Sequence, residues 1–150
     1  MNGRFLLDTN IVIAIFAAEP AVLQRVATVD EVFVPAIALG ELYYGARKSA
    51  RSEANINRID EFAAAMAILG CDGATARHYG WIKDELRAKG RPILENDIWI
   101  AGVAAQHRLT VVSRDEHFAG RNRPVEGQPK AGLEWDSRKH MGASYGTRAA

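Results

Sequence analysis

The stretch Arg4-Phe5-Leu6-Leu7-Asp8-Thr9-Asn10 constrains this chain more than any other. Three apolar residues run into an acid and two small polar residues, and a second apolar run follows at once over residues 11–16. A strand of a parallel sheet is covered on both faces and therefore reads as a continuous apolar run. Thr and Asn are good helix N-caps. The pattern predicts a buried parallel strand ending at Asp8, with Thr9 or Asn10 opening a helix. In open α/β sheets ligands bind beyond the carboxyl ends of the strands. Asp8 is thereby directed at the edge where such folds keep their chemistry.

The rest of the chain alternates in the same way. Pro20 sits at a plausible helix start and a short amphipathic segment follows it. Val32-Phe33-Val34-Pro35 is a short apolar run closed by proline, a second strand. Residues 36–48 read as a helix carrying Ile37, Glu41 and Tyr44 on one side and Leu39, Leu42, Tyr43 and Ala46 on another. A further helix is expected over residues 52–69, with Ile56, Ile59, Phe62, Ala63 and Met66 as its stripe and Gly70 as its stop. Residues 74–88 are helical again, with Tyr79, Ile82 and Leu86 together, until Gly90 and Pro92 break the pattern. Glu95 or Asn96 then caps a helix over 97–107 that has almost no polar face and should be buried. Thr110-Val111-Val112-Ser113 is a second buried strand, followed by Arg114-Asp115-Glu116-His117-Phe118. Strands alternating with helices imply βαβ units and a parallel sheet.

With 150 residues the chain is expected to form one domain with a real core. No apolar run approaches the roughly 18 residues of a membrane span, and no basic-then-apolar leader opens the sequence. Cys71 is the only cysteine, which excludes an internal disulfide and fits a reducing cytoplasm. The expectation is a cytoplasmic protein with no membrane partner. A net charge of +1 argues against a generic nucleic-acid binder, so any such affinity must come from local clusters. Residues 1–120 hold 13 Lys/Arg and 15 Asp/Glu, whereas residues 121–150 hold 6 and 3 and gather Gly, Pro and Ser. The latter is the composition of a poorly ordered tail.

Four acids occupy places where apolar structure should exclude charge. Asp8 ends a strand, Glu41 lies within a helix, Asp97 opens the most apolar helix, and Asp115 follows the last strand as Asp8 follows the first. These segments offer no matching set of Lys or Arg, and Arg114 is the only near neighbour. Buried charges are costly unless paired or metal-bound. Two like charges 4 Å apart repel by about 4 kcal/mol at an effective dielectric near 20. A hard divalent cation such as Mg²⁺ or Mn²⁺ removes that penalty and takes oxygen ligands. Such ions activate water and neutralise the leaving oxygen in phosphodiester cleavage. Each acid also has a plain structural use. Asp8 can cap its helix, Glu41 can face solvent, Asp97 can be a first-turn acid favoured by the helix dipole, and Asp115 can belong to an ordinary helix start.

Leu7-Asp8-Thr9-Asn10, Gly40-Glu41-Leu42-Tyr43-Tyr44-Gly45, Glu95-Asn96-Asp97-Ile98-Trp99-Ile100-Ala101 and the stretch from Leu109 to Phe118 resemble the four motif blocks of PIN-domain proteins. More narrowly, the chain is similar to the VapC toxins of bacterial toxin–antitoxin pairs. The likeness covers residues 4–118 in order and spacing, and the four blocks together are specific where one alone is weak. It implies a three-layer α/β/α sandwich with a central parallel sheet. It implies an endoribonuclease dependent on Mg²⁺ or Mn²⁺, with Asp8 and Asp97 as the firmest metal ligands. By the same likeness Glu41 holds metal or orients water, Asp115 is the fourth and more variable acid, and Ser113 takes the place of a small hydroxyl residue. It further implies a cognate VapB-like antitoxin whose tail enters the groove, a homodimer, and a higher assembly with the antitoxin. The pattern departs after Phe118, because residues 121–130 intervene before Gly132-Leu133-Glu134-Trp135, which resembles the closing strand. The chain divides on this basis into a PIN-like nuclease domain over 1–135 and a disordered tail over 136–150.

Arg47, Lys48 and Arg51, and Arg87, Lys89 and Arg91, are expected to flank the acids and hold RNA phosphates, with solvated helix ends as the plain alternative. Tyr43 and Tyr44 suit either base stacking or packing. Glu95 stands either near the pocket or in a loop. His78, His107, His117 and His140 have no metal-ligand spacing. Two rival functions remain in view. A haloacid-dehalogenase-like phosphatase needs a second Asp two residues after the first, where this chain has Asn10. A non-catalytic PIN-like module would bind antitoxin or RNA without cutting.

Overall fold

The computed structural model describes residues 3–90 and 94–113. The elements run β1 (Arg4–Leu7), α1 (Thr9–Phe16), α2 (Pro20–Ala27), β2 (Glu31–Pro35), α3 (Ala36–Lys48), α4 (Ser52–Ala65), β3 (Ala67–Leu69), α5 (Gly73–Ala88), α6 (Glu95–His107) and β4 (Thr110–Val112). The strands form one parallel sheet in the order β3-β2-β1-β4. β1 is central, pairing Phe5 with Val32 on one side and Leu7 with Val112 on the other. The chain winds outward from β1 to β2 and β3, then returns to lay β4 against the opposite side of β1. The strand order therefore reverses at β1, and Asp8 leaves the sheet at that switch point.

Alternation along the strands divides the core into two layers, because successive strand side chains point to opposite faces. Phe5, Leu7, Val34 and Val112 pack with Ile11, Val12, Ala38, Leu42 and Ile59 of α1, α3 and α4. Leu6 and Val111 pack with Ile82, Leu86, Ile98, Ile100 and Val103 of α5 and α6. Helices thus cover both faces and give the expected α/β/α sandwich. Eight residues of α6 are buried, as befits a helix that is apolar nearly all round. Gly102 lets it sit close against α5, since a Cβ there would lie 3.2 Å from the carbonyl oxygen of Thr75.

Three local expectations are corrected. The helix expected over 52–69 stops at Ala65, and Met66 turns extended to feed β3, which pairs Ala67 with Phe33 and Leu69 with Pro35. The apolar stripe itself holds, with Ile59 buried and Ile56, Phe62 and Met66 packed against the core. The open edge of β2 recruits the last three apolar residues as a strand, and tertiary pairing overrides their helical spacing. Helix α1 is capped by Asp8, whose side chain accepts from the Thr9 N–H, and not by Thr9 or Asn10. Helix α6 begins at Glu95 after Leu94, with no side-chain cap. The expected closing strand at 132–135 and the tail at 136–150 lie outside the described residues, as do His117 and His140.

Candidate active site

Asp8 is an acid yet only 4% exposed, and its surroundings explain how it is tolerated. Its Oδ1 accepts from the Thr9 N–H at 2.7 Å, and its Oδ2 accepts from the Ser113 hydroxyl at 3.0 Å. The Ser113 Oγ in turn accepts from Asn10 Nδ2 at 3.2 Å. This arrangement follows from the register. Leu7 pairs with Val112, and the Asp8 N–H donates to the Val112 carbonyl at 2.9 Å, so the residues just after β1 and β4 lie side by side. Asp8 is both helix cap and buried acid, and the two uses reinforce each other.

Glu41 reaches the same edge from α3. Its Oε2 accepts from the Thr9 hydroxyl at 2.6 Å, and its Oε1 accepts from Asn96 Nδ2 at 2.7 Å. Thr9 is the first residue of α1 and Asn96 the second of α6, so one carboxylate spans the starts of two helices. Asp97, 6% exposed, is the third residue of α6. Helix N-termini carry roughly half a positive charge, and a nearby carboxylate gains about 0.3–1 kcal/mol at an exposed terminus and more when partly buried. Three carboxylates thus gather around two such termini. Among the described residues no cation stands within ion-pair distance of Glu41.

Asp8, Glu41 and Asp97 are brought to the carboxyl edge as the sequence predicts. Asp115 and Arg91 lie outside the described residues. Among the described residues no three Asp, Glu, His or Cys side chains enclose a point where a metal would be held by all of them. Glu41 is instead drawn onto Thr9 and Asn96. Sequence reasoning missed the holding roles of Thr9, Asn10 and Asn96. Their signal was their position, since each adjoins an acid or follows one by two residues.

The basic candidates fall on exposed ground. Arg47 and Lys48 are exposed in the last turn of α3, and Arg87 in that of α5. Lys48 lies two helical turns beyond Glu41, about 10 Å along the same face. Its Nζ sits 4.2 Å from the ring centre of Tyr44, which is 62% exposed between them. Tyr43 instead packs against the core and donates to Asp60 Oδ1 at 2.5 Å, joining α3 to α4. That bond pushes the Tyr43 phenol pKa up. Lys89 Nζ lies 3.8 Å from Glu85. Glu95 turns toward α5, where Lys83 Nζ meets it at 2.5 Å and the Tyr79 hydroxyl also donates to it. These two bonds, Lys83 first, hold its carboxyl below the usual range. Tyr79 stacks on Trp99 with ring centres 4.2 Å apart.

With this geometry in place, comparison with known proteins is decisive. The PIN-domain profile matches residues 5–123. The chain belongs to the PIN-domain family. This PIN domain is 40% identical over 114 residues to ribonuclease VapC2 of Haemophilus influenzae, covering 75% of this chain and 86% of that one. It is 35% identical over 114 residues, with the same coverage, to the tRNA(fMet)-specific endonuclease VapC of Shigella flexneri. Among solved structures, it matches a chain of DNA-bound VapBC from Salmonella typhimurium with a TM-score of 0.70 and 32% identity, covering 81% of this chain and 93% of that one. No single helix among the described residues of the PIN domain is long and apolar enough to cross a membrane.

Proposed function

We infer that this chain is the toxin of a toxin–antitoxin pair, a VapC-type endoribonuclease that hydrolyses RNA phosphodiester bonds and is held by a VapB-like antitoxin. The resemblance to VapC ribonucleases and VapBC complexes over most of the chain supports this reading. The observation that carries its chemistry is that Glu41 bonds to Thr9, next to Asp8 at the switch point, and to Asn96, next to Asp97. The donors there are carboxylate, hydroxyl and amide oxygens, with no thiolate or imidazole among them, which suits a hard divalent ion. Mg²⁺ commonly uses one or two carboxylates and keeps several waters, so an enclosing triad is not required. We assign Asp8 and Asp97 to hold Mg²⁺ or Mn²⁺, with Glu41 and Asp115 completing the acid set. The bound ion supplies an activated water and neutralises charge at the leaving oxygen.

The chain's own residues do the rest. The Thr9 N–H and the Ser113 hydroxyl fix the two oxygens of Asp8. Glu41, held from both sides, orients the attacking water and accepts its proton. Arg47, Lys48, Arg87 and Arg91 hold the RNA backbone, a contact that positions substrate without reading sequence. The active unit is a homodimer, which assembles further with the antitoxin, and the single free thiol fits work in a reducing cytoplasm. The test is cleavage of a cellular RNA pool by purified protein in Mg²⁺, in Mn²⁺ and in EDTA, beside Asp97→Asn. Discrete cuts that need both metal and Asp97 are expected. A folded, antitoxin-free protein that cuts nothing in any condition is instead a binding module.

A further inference from the structure

We propose that Asn96 is a positioning residue for Glu41, an inference that rests on the nuclease reading above. A glutamate on a helix has three rotatable side-chain bonds and, unrestrained, samples many rotamers. Glu41 is gripped from opposite sides instead, by the Thr9 hydroxyl at 2.6 Å and by Asn96 Nδ2 at 2.7 Å. Both donors are neutral, so they orient the carboxylate without cancelling its charge as a Lys or Arg would. A carboxylate offers about four lone-pair sites. With one bond spent on each oxygen, acceptor capacity remains on both, aimed by the clasp.

Asn96 is the informative half of this clasp. It sits in the first turn of α6 but does not cap it, because the cap position is Leu94 and no side chain serves it. Its side chain is exposed, and its hydrogen bond to Glu41 crosses 55 residues of sequence. Asn is a poorer helix former than Ala. By helix propensity Asn has no advantage over Ala at this place, so what its side chain contributes is the bond to Glu41.

The experiment is a double-mutant cycle on the full chain with Asn96→Ala and Glu41→Gln, read by single-turnover RNA cleavage, by KM and by unfolding midpoint. Loss of an outer-shell partner typically costs about 10–100-fold. Asn96→Ala is expected to lower kcat within that range, with KM little changed and the unfolding midpoint close to wild type, because the better helix propensity of Ala offsets the lost exposed hydrogen bond. On the Glu41→Gln background it should add less than about threefold, since residues acting through one another are not additive. Undiminished cleavage by Asn96→Ala, while Glu41→Gln is strongly slowed, overturns the inference and leaves the nuclease reading intact. Effects that multiply in the double variant, or a raised KM, overturn it in favour of direct contact with RNA. A loss of cleavage matched by a loss of stability overturns it in favour of a structural role. Absence of cleavage by the wild-type protein removes the nuclease reading and this inference with it.

Discussion

Asp8 is both helix cap and proposed metal ligand, and two substitutions separate the roles. Asp8→Ala removes the acceptor of the Thr9 N–H, a cap loss of about 1 kcal/mol. It also strips the buried Ser113 hydroxyl of its acceptor, which costs roughly 1–3 kcal/mol when a buried polar group is left unsatisfied. The sum is about 2–4 kcal/mol. Asp8→Asn keeps Oδ1 for the cap but presents an N–H₂ where Ser113 needs an acceptor, so that hydroxyl loses its partner as it does in Asp8→Ala. Beyond that shared loss it gives up the charge at the start of α1, about 0.3–1 kcal/mol, and relief of repulsion from the neighbouring carboxylates offsets part of that. For a chain of this length 1 kcal/mol moves Tm by about 2–4 °C, so the retained cap should leave Asp8→Asn melting up to about 4 °C above Asp8→Ala. Urea unfolding followed by Trp81 and Trp99 fluorescence, with thermal melts beside it, gives the comparison. Both variants should lose metal-dependent cleavage. Equal stability of the two would refute the capping argument, and cleavage retained by Asp8→Asn would remove Asp8 from the metal site.

Three other perturbations follow from the same geometry. Lys48→Glu should weaken RNA binding with little change in kcat and reduce the salt slope of binding by about 1, measured by titrating uncleavable RNA at several salt concentrations; an unchanged slope removes Lys48 from the phosphate contacts. Ile100→Ala, at a fully buried position between α6 and the sheet, should cost about 2–5 kcal/mol in denaturant unfolding. The Asp72 carboxyl is held below its usual range, first by the Thr75 N–H and then by the Gln106 amide. A group whose folded pKa is depressed stabilises above its unfolded pKa, near 3.9, and loses that contribution as pH falls toward the folded value. The unfolding midpoint of the wild type should therefore fall more steeply below about pH 4 than that of Asp72→Asn, and parallel acid limbs would contradict this.

The acids were legible because charge inside apolar sequence is expensive and demands a reason. Asp8 after Leu6-Leu7 and Asp97 before Ile98-Trp99-Ile100 could be picked out without a fold, and both prove almost fully buried. The two-faced core was legible for a similar reason, since β1 is apolar at every buried position and β4 at every one but Thr110. The third strand was not, because Ala67-Ile68-Leu69 continues the spacing of α4 and only the open edge of β2 turns it into a strand. The neutral residues of the site were hidden by their ordinary uses. Thr9, Asn10 and Asn96 all read as helix caps, and none of them caps a helix here, because Asp8 and Leu94 occupy those positions.

The misreading has a structural cause. In a parallel α/β sheet a helix follows each strand, so the carboxyl edge that receives ligands is also where helices begin. Residue types that suit a helix start (Asp, Thr, Asn) are the types that bind cations or orient carboxylates. Position in the sequence cannot separate the two uses, and here one residue can serve both. Asp8 caps α1 with Oδ1 and meets Ser113 with Oδ2, while Thr9 donates its N–H to the cap and its hydroxyl to Glu41. The cap and the site are one hydrogen-bonded unit, so a substitution that frees the start of α1 also misaims Glu41. Stability and cleavage should fall together at Thr9 and separate at Asn96, whose side chain serves Glu41 and caps nothing.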